Sequence, residues 1–283
     1  MKYSTVILLT AILFLFSCEK DTYDLINANH NKMMILGHRG MGELYKYPGN
    51  TLEAIEPVLG IGADGSEIDI QITKDSVVVL FHNNDLDNRV NANGKIFDKT
   101  WEEIKNAKYI GIQNDVKIIT MDDLFNQIKD VNIYYFSLDC KLDDRYKYNS
   151  GYRKLFLRSI KKVIDKYQFN KHILLEGDLD FLMKAKELNL NVECFLTLEE
   201  DIDKKILDAK LNQLRGIGIS LSSLTNSAVE KAHKENLYIM CWSPKNAIEN
   251  NKAFKYQVDI IQTDAPIHIL QKTNRYNYEY QIP

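Results

Sequence analysis

Four short stretches of the chain carry side chains whose types and spacing suit the chemistry of a phosphate ester. Gly37-His38-Arg39-Gly40 sets an imidazole beside a guanidinium between two glycines, which let a backbone turn sharply and approach a ligand. Arginine offers a planar fork for phosphate oxygens and histidine moves protons near neutral pH. Alone, the tetrapeptide is weak evidence and reads better as ordinary capping and surface hydrogen bonding. Glu67 and Asp69 stand two apart in "SEIDIQI", so on a strand both carboxylates face one side while Ile68 and Ile70 face the other. Burying both as anions costs several kcal/mol unless a cation compensates, and a hard divalent ion with oxygen ligands is the natural one. The competing reading, a solvated pair on an edge strand, is disfavoured by the apolar run around them. His82 ends "VVVLFH", where it can face His38, and Asp139 and Lys141 repeat the two-residue spacing in "SLDCK". A divalent ion for charge and two histidines for proton transfer would together suit attack on a phosphodiester.

These residues need elements that bring them to one place. From Met33 onward, β-rich runs alternate with helix-length amphipathic stretches, and no Pro/Gly/Ser-rich linker interrupts them, so residues 33–283 read as one domain. Strands are expected at 33–38, 66–72, 132–141, 172–177, 191–197, 216–220, 237–243 and 258–264. Helices are expected near 50–60, 120–129, 151–167, 179–188, 199–212, 225–236 and 246–256. This rhythm predicts an α/β fold, a (β/α)8 TIM barrel with seven crossovers and a closing strand. An extra run at 76–82 is expected to pair with the second strand before a long excursion through 83–117. A doubly wound open sheet is the alternative. The barrel is favoured because the ionisable residues gather at the C-terminal ends of strands, where barrel enzymes place their chemistry.

The remaining features bound the setting. The 283 residues, 45% hydrophobic and 27% charged, suffice for one large core, and a net charge of -3 gives no sign of a nucleic-acid surface. The charge run "LEEDIDKK" at 198–205 reads as an exposed helix start. Lys2 followed by the apolar stretch Val6 to Phe16 reads as an export signal over 1–17. Its end, Leu15-Phe16-Ser17-Cys18, resembles the bacterial lipobox, which implies lipidation of Cys18. An ordinary signal peptide or an uncleaved anchor are the alternatives. Residues 18–32 then read as a polar tether, and the chain is expected to be an exported, membrane-anchored lipoprotein on the periplasmic or cell surface. Cys140, Cys194 and Cys241 lack metal-type spacing and are expected as small buried hydrophobes, not a disulfide framework.

His38-Arg39-Gly40, "PGNTLEA" at 48–54 and "GADGSEIDIQITKDSVVVLFH" at 62–82 together resemble the glycerophosphodiester phosphodiesterase family of PLC-like barrels. The likeness extends more weakly through "SLDCK", Trp242 in "CWSPKN" and "DIIQTD" at the last strand. It implies a TIM barrel in which Glu67, Asp69 and Asp139 bind Ca2+ or Mg2+, His38 and His82 act as general acid and base, and Arg39 and Lys141 hold the substrate phosphate. Trp242 would line the substrate mouth by the same analogy, or pack as a buried tryptophan. The implied reaction turns a glycerophosphodiester into glycerol 3-phosphate and an alcohol, with water or the glycerol's neighbouring hydroxyl as nucleophile. The chain departs from the family where Gly49 replaces a usual glutamate, Asn83 a usual aspartate, and Asp139 a usual glutamate. These changes leave room for a phosphodiesterase of different substrate or a non-catalytic barrel that binds a phosphorylated headgroup or sugar. A glycosidase is disfavoured, since Glu67 and Asp69 on one strand are poorly placed to straddle a glycosidic bond.

Overall fold

The computed structural model describes residues 24–112, 114–169, 171–197 and 201–283. The strands are β1 Met34–Gly37, β2 Gly65–Ile72, β3 Val78–Leu80, β4 Tyr135–Cys140, β5 Ile173–Gly177, β6 Glu193–Leu196, β7 Gly216–Ser220, β8 Tyr238–Trp242 and β9 Ile260–Thr263. All except β3 run parallel in the order β1-β9-β8-β7-β6-β5-β4-β2, and β1 also pairs with β2, which closes the barrel. The short β3 runs antiparallel to β2 on the outside of this circuit.

The pleat sorts the side chains. Leu36, Leu174, Phe195, Met240 and Ile260 point to the axis and fill the barrel. Their alternates, including Ile68, Ile70, Ile217 and Ile239, pack outward against helix residues such as Phe156, Phe181, Leu182 and Val229. The helices that supply this outer layer are α1 Leu52–Gly60, α2 Trp101–Ile104, α3 Met121–Gln127, α4 Ser150–Tyr167, α5 Leu179–Glu187, α6 Ile202–Leu211, α7 Asn226–Lys234, α8 Ala247–Lys255 and α9 Pro266–Lys272. Side-chain caps start several of them: Asp178 accepts from the Phe181 N–H, Thr225 from Ala228 and Asn246 from Ile248. The excursion after β3 has its own small core of Val79, Phe81, Leu86, Val90, Ile96, Ile104 and Ile118, which holds it over one side of the barrel mouth.

Several expectations need correction. A helix follows the last strand: α9 opens on Pro266, a residue suited to the first helical turn, and buries Ile269 and Leu270 against the barrel. The strand expected over 132–141 begins at Tyr135, because Val131–Ile133 forms a 3-10 turn. Lys205, in the run read as solvated, is 6% exposed and its ammonium donates to the Gly218 carbonyl at 3.2 Å, the long stem letting the charge reach a partner from a covered position. Residues 24–32, read as part of a tether, double back instead: Met33 donates to the Leu25 carbonyl, and Asn27 reaches the buried Asp259. Cys194 and Cys241 are buried as expected, while Cys140 is only partly so. Cys18 and the export signal lie outside the described residues. Among the described residues, no helix is long and apolar enough to cross a membrane.

Candidate active site

The register of three neighbouring strands builds the centre of the site. Asp69 of β2 pairs with Asp139 of β4, and Asp139 pairs in turn with Glu176 of β5. Adjacent parallel strands lie about 4.8 Å apart and paired residues point to the same face, so three acids stand in a row at the C-terminal mouth. Glu67, one pleat deeper on β2, adds a fourth. Oxygens of Glu67, Asp69 and Asp139 fall within 4.8 Å of one another. Burial and the charges of Asp69, Asp139 and Glu176 push the Glu67 carboxyl well above its usual range. That crowding, all in oxygen donors, fits a hard divalent ion, since the nearby Arg39 charge does not offset burial and the neighbouring acids at Glu67.

Asp69 differs from its neighbours because cations flank it. Lys141 Nζ lies 3.0 Å from Oδ1, and Arg39 Nε lies 2.9 Å from Oδ2. Burial alone would raise its pKa, but Lys141, Arg39 and the Asn50 amide outweigh burial and hold it below the usual value. Asn50 grips this carboxylate residue twice: its Nδ2 donates to Oδ2 at 2.7 Å and its Oδ1 accepts the Asp69 N–H at 2.9 Å. Asn50 adopts a left-handed backbone, φ 66°, which asparagine tolerates better than most residues. Lys141 also donates to Asp139 at 2.5 Å, and the ammonium is raised despite burial because Asp139 and Asp69 face it.

His38 follows β1 on a turn that depends on Gly40. At φ 96°, a Cβ there would sit 2.4 Å from the Ala54 carbonyl oxygen, so only glycine lets the loop close onto α1. The turn directs the Arg39 N–H to Glu67 Oε2 at 2.9 Å and His38 Nδ1 to Asp264 Oδ1 at 2.7 Å. Engagement of Nδ1 with a carboxylate leaves Nε2 toward the acids, 3.8 Å from Glu67 Oε2. His82 lies two residues beyond β3. The Gln71 side chain donates to the carbonyls on either side of it, Phe81 at 2.9 Å and Asn83 at 2.8 Å, and so fixes its backbone. Burial, with help from Arg39 and Lys141, lowers the His82 pKa against the pull of Asp69.

The structure thus gathers His38, Arg39, Glu67, Asp69, His82, Asp139 and Lys141 at one mouth. Trp242 sits half-buried at the end of β8, on the axis-facing series Tyr238, Met240, Trp242. Asp264, Asn50 and Glu176 were not anticipated. Asp264 continues the inward alternation Ile260, Gln262 and lay in the "DIIQTD" run, so the signal was present. Glu176 was passed over, because in "HILLEG" it has no second polar residue at the two-residue spacing. Its Oε1 accepts from Ser137 at 2.7 Å and Gln262 at 2.5 Å. Burial first, then Asp139, pushes its pKa up to about 7. The departures also find a place. Gly49 packs on Arg39, where a Cβ would lie 2.7 Å from the arginine Cβ, and the Asn83 side chain stands 3.4 Å from His82 Nδ1.

Beside this cluster opens a cavity of about 940 Å³ between the segments that follow β4 and β5, the end of β6 and α6, with Asp139, Lys141 and Glu176 on its inner wall.

Known proteins share this arrangement of chain and fold. A glycerophosphodiester phosphodiesterase of Caldanaerobacter subterraneus subsp. tengcongensis is 24% identical over 241 residues, 83% of this chain and 95% of its own. The solved structure of a glycerophosphodiester phosphodiesterase from Parabacteroides distasonis superposes with a TM-score of 0.74 at 19% identity, covering 86% of this chain and 98% of that one. An Oleispira antarctica phosphodiesterase, solved with the product sn-glycerol-3-phosphate, superposes with a TM-score of 0.72 at 17% identity, covering 85% and 96% of the two chains. The model of the glycerophosphoryl diester phosphodiesterase family matches residues 38–268, from the first histidine of the mouth to the helix that follows its last aspartate, and the chain belongs to that family.

Proposed function

We propose that the protein hydrolyses glycerophosphodiesters to glycerol 3-phosphate and an alcohol, using His38 and His82 for proton transfer and a divalent metal held by Glu67, Asp69 and Asp139. The observation that carries this reading is the convergence of two cations on Asp69, with oxygens of Glu67 and Asp139 within reach of one ion and His38 Nε2 facing Glu67. The bound ion, Ca2+ or Mg2+, would supply positive charge to the phosphate oxygens.

The chain's own residues supply the rest. Arg39 and Lys141 present N–H donors at the edge of the acid row, where phosphate oxygens can accept them. Asp264 holds His38 in one orientation, so its Nε2 meets the reacting group. One histidine takes a proton from the attacking oxygen as the new O–P bond forms. The other gives a proton to the departing alcohol as the old P–O bond breaks. Lipidation at Cys18, and with it an exported, membrane-anchored location, belongs to the same reading and rests on the sequence of the first residues; a Cys18→Ser chain should leave the membrane fraction of cells.

The test is release of glycerol 3-phosphate by the chain from Glu19 onward, with and without EDTA. Removal of either imidazole, in His38→Ala or His82→Ala, is expected to lower kcat by about 10²- to 10⁴-fold, the usual contribution of a positioned acid or base. Full turnover in EDTA, or in both variants, would reject the proposed roles.

A further inference from the structure

We infer that the cavity beside the acid row is the pocket for the departing alcohol, and that it selects a polyhydroxylated alcohol over a quaternary ammonium one. The inference rests on the function proposed above and adds the class of substrate.

Position comes first. Asp139, Lys141 and Glu176 belong both to the catalytic cluster and to the cavity wall, so a phosphodiester held at the acids has one substituent in that space. At about 940 Å³ the cavity is at the upper end of the range for small-molecule sites and far exceeds the needs of a glycerol. The space therefore has room for an alcohol larger than glycerol.

Chemistry then narrows the alcohol. The wall is made of matched opposite charges. Arg153, only 2% exposed, donates both guanidinium arms to Asp178, at 2.6 and 2.5 Å, and one to Asp180 at 2.9 Å. Lys184 pairs with the same Asp180. On the inner wall, Glu176 Oε1 is held by Ser137 and Gln262, which fixes the carboxyl without filling its acceptor capacity. Neighbouring fixed donors and acceptors match adjacent hydroxyls, each of which gives one hydrogen bond and takes another. A trimethylammonium group has no such bonds to make and is recognised by the open faces of several aromatic rings. Among the described lining residues, Phe181 is buried, and the Tyr148 ring already carries Lys147 at 5.5 Å and Arg153 at 5.8 Å. One exposed ring makes no cage, so the described lining residues offer none to such a cation.

The experiment compares kcat/KM for glycerophosphoinositol, glycerophosphoglycerol and glycerophosphocholine in the metal-supplemented chain from Glu19 onward, beside Asp180→Asn and Lys184→Met. The wild type is expected to prefer the inositol ester over the choline ester by at least tenfold, and each variant to cut that ratio several-fold at an unchanged thermal midpoint. A ratio near one or below, or a ratio that neither variant moves, overturns the pocket assignment while the proposed function stands. Cleavage of none of the three esters with any divalent ion overturns the proposed function itself and the inference with it.

Discussion

Asp69 and Asp259 are both fully buried aspartates on the same barrel, at opposite ends, and they are treated in opposite ways. At the closed end, Asp259 is surrounded by donors: Asn27 at 2.8 Å, Asn31 at 2.7 Å, the Ile239 N–H at 2.7 Å and His233 at 2.9 Å. Nothing competes for it. At the open end, Asp69 has Asn50, Arg39 and Lys141 beside it but shares its space with Glu67 and Asp139, and its Oδ1 makes no hydrogen bond despite the ammonium near it. A buried carboxylate with a complete set of donors holds parts of a fold together. One crowded by other carboxylates keeps charge unspent for something that arrives later.

The contrast can be broken from either end. Asp259→Ala should cost about 3 kcal/mol of stability, the scale for stripping one partner from a buried, hydrogen-bonded network, with KM unchanged in the molecules that remain folded. Urea titration measures it, and a loss below a tenth of that would remove the structural role. Glu67→Gln should act with the opposite sign. It abolishes turnover yet stabilises the metal-free protein by about 1 kcal/mol, since it relieves repulsion in the acid row while its carbonyl still accepts the Arg39 N–H. A variant less stable than wild type in EDTA would show that the row is not strained. The smallest effect concerns His82. Asn83→Asp places a carboxylate beside an imidazole that burial, Arg39 and Lys141 hold low, so its pKa must rise. One limb of the pH–rate profile then moves to higher pH: the alkaline limb if His82 is the acid, the acidic limb if it is the base. If neither limb moves, His82 does not titrate in the reaction.

The open end was far more legible than the closed one. Glu67, Asp69, Asp139 and Lys141 announce themselves because a two-residue spacing inside an apolar strand forces polar side chains inward, and inward at a strand's C-terminal end means the mouth. Asp264 obeyed the same rule at the end of β9. Asn50 and Glu176 did not, since their roles come from register and from a left-handed turn, which depend on how separate strands align. The closed end left no local trace. Asn27 and Asn31 look like tether residues until Asp259, more than two hundred positions away, gives them a partner. The short α9 was obscured for a related reason: its buried Pro266, Ile269 and Leu270 matter only against elements such as β1 and α8, which no neighbouring sequence reveals.

The hairpin around Asn27 also sets a direction. Because residues 24–33 fold against the end of the barrel from which β1 and β9 start, the polypeptide enters the domain at the pole opposite the acids. If the residues before it are fastened to a lipid sheet through Cys18, the catalytic pole faces away from that sheet. Such an enzyme would draw on esters diffusing in the surrounding water, with the lipids beneath it out of reach.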